Sequence, residues 1–156
     1  MTPWAFAAAA PAMTAVVAVT VVAVVCVRTR RSRLRVTVAG QSMAPALTPG
    51  QVVIAHRVGP GGLRTGDVVV LVKPECPGDW WWPAVGGPVG EGAWLLKRLA
   101  ALPGDPVPPP VSTSLGVTGV VPEGVAVVLG DNTAASVDSR DFGFVPVDRV
   151  IARVPR

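Results

Sequence analysis

Several residue types that metal sites and catalytic triads commonly use are scarce in this chain. Its 156 residues include one histidine, His56, two cysteines, Cys26 and Cys76, and no tyrosine. The cysteines form neither a CxxC pair nor a cluster with the histidine. Because a zinc site built by the protein needs several such donors, we expect no metal and no cofactor.

Basic residues are unevenly placed along the chain. Five arginines lie between Arg28 and Arg35, whereas from Val36 onward nine cations stand against ten acids. The chain therefore lacks the basic surface with interleaved aromatic residues that nucleic-acid-binding proteins carry, and nucleic acid is not an expected partner. A basic cluster beside an apolar run is instead typical of a membrane-surface anchor.

Such an apolar run lies just before the arginines. Trp4 to Val27 contains 24 residues without a charge, and about 20 suffice for a helix to cross a bilayer. No lysine or arginine precedes it, which favours a permanent anchor over a cleaved signal peptide. A buried core helix is the alternative, although so small a domain does not readily cover a helix on all sides. We expect an anchor at residues 1–27 and a basic juxtamembrane segment at 28–35.

Residues 36–156 have the pattern of an all-β domain made of small curved sheets. The chain is rich in glycine and proline, with 17 of each. Between the turns lie short β-branched or apolar runs, each of which predicts a strand. These runs are 36–38, 52–55, 68–72, 94–96, 125–129 and 150–154. The Pro/Gly-rich stretches 74–92 and 103–119 are predicted to be long hairpin loops.

Lysine usage points to a catalytic base. The chain has twelve arginines but only Lys73 and Lys97 as lysines, and Lys97 lies in the apolar run WLLKRLAAL. A desolvated lysine can lose its proton near neutral pH, whereas arginine cannot. The competing interpretation is a surface strand lysine whose stem covers apolar neighbours.

A Ser-Lys dyad is the simplest catalytic arrangement that would use such a base. A Ser-His-Asp triad would need His56, which has no acid near it in the sequence. The best serine is Ser42 in AGQSMAPALTPG, where Gly40 permits close backbone approach and the prolines restrict the following chain. A serine in a turn is common, so this position alone is weak support.

Four segments resemble the boxes of the bacterial type I signal peptidase family, in the correct order. Ser42–Leu47 is similar to the nucleophile box, with Ala46 in place of the usual threonine, and Arg64–Val70 to the next strand box. Lys97–Asp105 is similar to the lysine box and Gly130–Gly143 to the last box. The resemblance covers nearly the whole chain and implies a membrane-anchored serine endopeptidase.

The resemblance also implies residue roles. Ser42 would attack the scissile carbonyl, beside Met43 in the same box, and Lys97 would take its proton. The positions expected to support this dyad are Ser136, which orients the lysine, the salt bridge of Asp138 with Arg140, the turn of Asp131 and Asn132, and Gly40. Gly40 stands where some family members carry an oxyanion-binding serine, so the Ser42 backbone N–H should stabilise the oxyanion. Thr133 replaces a common arginine, which affects the packing of this loop rather than the dyad.

The implied partners are the lipid bilayer and precursor polypeptides with small residues, typically alanine, one and three places before the cut. The enzyme is expected to be a monomer. Trp80–Trp82 either dips into the membrane interface or packs on the domain. The arginines after the anchor place the domain in the cytoplasm by the positive-inside rule, whereas the family works on the outer face.

Three alternative functions follow. The chain could be a dedicated leader peptidase for one cytoplasmic precursor, as in nickel superoxide dismutase or ribosomal peptide maturation. It could be a catalytically idle, membrane-tethered binding module. An autoproteolytic repressor also uses Ser-Lys chemistry, but it would need a DNA-binding domain that this chain does not offer.

Overall fold

The computed structural model describes residues 32–72 and 94–155. The chain divides into two units, Met1–Arg33 and Leu34–Arg156, and the fold below is that of the second. The predicted anchor at 1–27, the loop at 74–92 and its tryptophans lie outside the described residues. Within residues 32–72 and 94–155, no helix is long and apolar enough to cross a bilayer.

The short β-branched runs form strands, as predicted. Alternation along β2 shows why: Val53 and Ala55 are buried in the core, while Val52 and Ile54 face outward. The central strands are apolar on both faces because other elements cover both sides. The strands are β1 (Arg33–Thr37), β2 (Val52–Arg57), β3 (Val68–Val72), β4 (Trp94–Ala101), β5 (Val125–Leu129), β6 (Val145–Pro146) and β7 (Val150–Val154).

All seven strands belong to one curled sheet with the order β1-β2-β7-β3-β4-β5-β6, in which the recorded pairs are antiparallel. The register places Val69 opposite Lys97 and Val68 opposite Arg98. The C-terminal strand β7 therefore lies in the middle of the sheet, between β2 and β3. The mostly β architecture confirms the predicted fold class for this part of the chain.

Three hydrophobic clusters hold the sheet in shape. One packs around Val69 and Leu99, a second around Met43 and Val70, and a third around Val111. Met43 is 1% exposed, so the residue after Ser42 ties the loop between β1 and β2 to the second cluster. Burial of such a side chain contributes roughly 2 kcal/mol, which is enough to fix the loop.

The stretch 103–119 was predicted to be a long hairpin loop. In the structure it contains a helix, α1 (Pro109–Leu115). Proline at the first helical positions has its φ preset for a helix and needs no N–H partner there. Gly116, at φ 66°, ends the helix in the left-handed region. Val111 anchors α1 in the third cluster. A second short helix, α2, runs from Ser139 to Phe142.

Candidate active site

Lys97 is a buried lysine in the middle of β4. Its residue is only 3% exposed, and its Nζ donates a hydrogen bond to Ser136 Oγ at 2.8 Å. Burial lowers the pKa of Lys97, and the positive charge of Arg140 adds to this, while the carboxylates of Asp138 and Asp141 oppose it. The net effect favours the neutral amine, which is the form that can accept a proton.

Ser136 connects the lysine to a buried carboxylate. Its hydroxyl donates to Asp138 Oδ2 at 2.7 Å while its oxygen accepts from Lys97. Asp138 is fully buried and also accepts from the backbone N–H of Gly130 at 2.9 Å. The lysine nitrogen is thus held at one end of a chain of hydrogen bonds.

Arg140 neutralises the charge of Asp138. Its Nε donates to Oδ1 at 2.9 Å and its terminal nitrogen to Oδ2 at 2.8 Å, which is a bidentate pair. Burial by itself raises the pKa of Asp138, but hydrogen bonds from Arg140, Gly130 and Ser136 outweigh it and lower the pKa to about 2. Asp138 therefore stays ionised at and well below neutral pH.

The loop that carries this network is shaped by helix capping. Asp138 is the N-cap of α2 and accepts the Arg140 N–H, while the Asp141 carboxylate accepts the Asp138 N–H at 2.9 Å. The next residue, Ser139, is fully buried, and its hydroxyl oxygen accepts the Val128 N–H at 3.0 Å. The capping box thus fixes the direction of the Asp138 side chain.

Ser42 lies in the loop between β1 and β2 and is half-buried. Its carbonyl accepts the Asn132 N–H at 3.0 Å, which joins the loop of Ser42 to the turn after β5. Two residues earlier, Gly40 has φ 77°, a left-handed conformation that favours glycine. The backbone of Asn132 thus joins the two loops.

Gly130 separates Ser42 from Ser136 and leaves no room for a side chain. A Cβ there would collide with Ser136 Oγ and lie 2.7 Å from the Ser42 carbonyl oxygen. Ser136 Oγ accepts a hydrogen bond from Lys97 Nζ, so Gly130 has the Ser42 backbone on one side and the Lys97–Ser136 pair on the other. From the sequence, Gly130 was identified only as the first residue of the last box. Its position directly before the turn at Asp131 was the one feature that could have indicated this tight packing.

Asp131 has a definite partner that the sequence did not indicate. Arg98, next to Lys97 on β4, donates from Nε to Asp131 Oδ1 at 2.7 Å and from its terminal nitrogen to Oδ2 at 2.6 Å. A further bond joins Arg98 to the Gly66 carbonyl at 2.9 Å. The two adjacent cations thus have different partners: Lys97 contacts Ser136, and Arg98 contacts the turn at Asp131.

A groove with a volume of about 240 Å³ lies beside Ser42. β1 is the end strand of the sheet, and β4 pairs with β5 only from Arg98 onward among the described residues. One edge of β1 and the first part of one edge of β4 thus pair with no strand among the described residues. The groove is lined by Arg35–Ala39 of β1 and the residues after it, by Ser42 and Met43, and by Trp94–Leu96 of β4.

His56 lies elsewhere, exposed on β2, and lines a different cavity with Arg64, Asp67, Arg153 and Pro155. Within residues 32–72 and 94–155, no three histidine, cysteine or acidic side chains gather in a way that could hold a metal ion.

Comparison with known proteins assigns the chain to a family. The model of the family described as signal peptidase, peptidase S26, matches residues 9–109 and 109–155. Mitochondrial ATP-independent inner membrane protease subunits 1a and 1b of Arabidopsis thaliana are 36% and 34% identical, over 70% and 74% of this chain. The chain spans only 60% and 63% of those relatives. Signal peptidase IB of Staphylococcus aureus (strain COL) is 30% identical, over 76% of this chain and 73% of its own length.

Proposed function

This chain belongs to the signal peptidase family, peptidase S26, and we propose that it is a membrane-bound serine endopeptidase that removes N-terminal signal or leader peptides. Ser42 is the nucleophile and Lys97 the general base. The observation that carries this proposal is the buried Lys97 nitrogen, hydrogen-bonded to Ser136 and close to the loop of Ser42.

The surroundings of Lys97 suit a base. Burial lowers its pKa, so a larger fraction of the amine is neutral at a given pH than for an exposed lysine. Ser136, fixed by Asp138, aligns the nitrogen. A serine hydroxyl is a weak nucleophile unless an adjacent base takes its proton. The pair therefore has the parts that nucleophilic catalysis needs, without histidine.

The reaction follows the usual course of acyl transfer. Ser42 Oγ forms a bond to the scissile carbonyl carbon while its proton passes to Lys97 Nζ. Negative charge develops on the carbonyl oxygen, and the backbone N–H of Ser42, which has no recorded partner among the described residues, stabilises it. Lys97 then gives its proton to the leaving amine as the C–N bond breaks. Water, activated by the same lysine, hydrolyses the ester on Ser42.

The groove beside Ser42 accounts for substrate binding. A precursor in extended form would add as a strand between β1 and β4, with main-chain hydrogen bonds on both sides. Val36, Val38 and Met43 are buried beneath or beside this path, which leaves shallow apolar space. Such space favours small side chains, in keeping with an Ala-x-Ala type of cleavage site.

The experiment uses the full chain in lipid or detergent with a precursor that bears Ala-x-Ala before its mature start. Ser42→Ala and Lys97→Arg are compared with wild type, and Ser114→Ala, an exposed serine on α1, is the matched control. We expect cleavage by wild type and Ser114→Ala only. Equal cleavage by all four proteins would point to a contaminant and reject the dyad. No cleavage by wild type would favour the dedicated leader peptidase or the idle binding module.

A further inference from the structure

A second cavity of about 240 Å³ shares no lining residue with the groove beside Ser42. Its walls are formed by His56, Arg64, Asp67, Arg153 and Pro155. His56 on β2 and Arg153 on β7 are direct cross-strand partners, so their side chains project from the same face of the sheet. Four of the five lining residues are ionisable.

The cavity carries excess positive charge. Asp67 is 2% exposed, accepts the Arg64 backbone N–H at 3.0 Å and lies 3.6 Å from the Arg153 guanidinium. One carboxylate thus stands against two guanidinium groups. No ion pair joins the Arg64 side chain to an acid within residues 32–72 and 94–155, and the Arg153 side chain is 41% exposed. Two arginines among the lining residues of one cavity suit the oxygens of a phosphate.

An apolar strip leads to the same cavity. Val53 and Ala55 of β2 face the core, so Val52, Ile54 and His56 share the outward face of the strand. Val52 is 48% exposed and Ile54 41%. These two are among the few large apolar side chains that the described part of the domain exposes, and they stand in line with the histidine.

We propose that this cavity binds the phosphate of an anionic phospholipid headgroup. Arg64 and Arg153 hold the phosphate oxygens, His56 donates from its ring, and Val52 with Ile54 contacts the acyl chain. Asp67 acts as a brace, because it orients Arg153 and fixes the Arg64 backbone. The apolar strip selects the lipid over free phosphate, since inorganic phosphate would gain nothing from it. This site is independent of cleavage by Ser42.

Binding to the full chain in a neutral detergent is measured by calorimetry with dihexanoyl phosphatidylglycerol below its micelle concentration. Arg64→Gln and His56→Gln are the test variants. Arg57→Gln, which removes the same charge as Arg64→Gln at the residue after His56 on β2, serves as control. We expect Arg64→Gln to weaken binding roughly tenfold or more, the usual effect of losing a charged hydrogen bond. Arg57→Gln should change the Kd less than about twofold, because alternation along β2 directs Arg57 to the opposite face from His56, and an exposed charge contributes little.

A second comparison separates lipid from phosphate. Ile54→Ser should weaken binding of the lipid and leave weak binding of inorganic phosphate unchanged. Thermal unfolding of each variant verifies that the fold is intact. At position 153 the variant is Arg153→Lys, which keeps a positive charge beside the buried Asp67 carboxylate. Equal losses in Arg57→Gln and Arg64→Gln would overturn the site in favour of diffuse attraction. Inorganic phosphate that binds wild type as tightly as the lipid would overturn the lipid as the ligand.

Discussion

Gly130→Ala should inactivate the enzyme while leaving it folded. The added Cβ would lie 2.7 Å from the Ser42 carbonyl oxygen, roughly 0.7 Å inside ordinary contact, and would strike Ser136 Oγ on its other side. The backbone of Gly130 is outside the left-handed region, so the obstacle is space alone. Either the loop that carries Ser42 moves, or the hydrogen bond between Ser136 and Lys97 breaks.

Both responses separate the groups that must react together. A misplacement of about 1 Å costs on the order of 100-fold in rate, so we expect kcat for an Ala-x-Ala precursor to fall by roughly that factor. Overpacking a buried site costs about 1–3 kcal/mol, which should lower the Tm without preventing folding. Gly61→Ala, where a Cβ would meet nothing within 4 Å, is the control and should match wild type. Unchanged kcat in Gly130→Ala would refute the placement of Ser42, Ser136 and Lys97 around this glycine.

Three further predictions concern the network around the dyad. Because the pKa of Asp138 falls from 3.8 to about 2 on folding, its contribution of about 2 kcal/mol should be complete above about pH 5 and disappear as the pH falls toward 2. Urea unfolding across that range should show this in wild type and in Asp148→Asn, an exposed control, but not in Asp138→Asn. Ser136→Ala should lower kcat/KM by roughly 10–100-fold and shift its pH profile, whereas a merely structural serine would leave the profile in place. Asp131→Asn should lower the free energy of unfolding by about 1 kcal/mol, since the Arg98 pair is half-exposed, and an unchanged Tm would show that the pair contributes nothing.

Strand positions could be predicted well from the sequence because they depend on local pattern. The runs 68–72, 125–129 and 150–154 coincide with β3, β5 and β7. The run 94–96 was predicted too short, since β4 continues through Lys97 and Arg98 to Ala101. A strand prediction based on apolar runs stops at charged residues, whereas pairing with β3 and then with β5 shows that the strand continues.

Long-range contacts could not be read from the sequence. The pair of Arg98 with Asp131 joins residues 33 positions apart, and nothing in their local pattern connects them. The helix α1 was missed because prolines usually interrupt helices, although at the first turn they start one. By contrast, Lys97, Ser136, Asp138 and Arg140 are positions that the family resemblance singled out, and hydrogen bonds join them in the structure. Their roles in catalysis stay predictions.

The protonation of Lys97 tests the account most directly, and the sequence makes it measurable. The chain contains only two lysines, Lys73 and Lys97, so lysine labelled at Cε and Nζ gives two NMR signals. Lys73→Arg and Lys97→Arg assign them. We predict that the Lys97 signal titrates below the ordinary 10.5, because its ammonium is desolvated. A Lys97 signal that titrates at or above 10.5 would contradict its role as the general base.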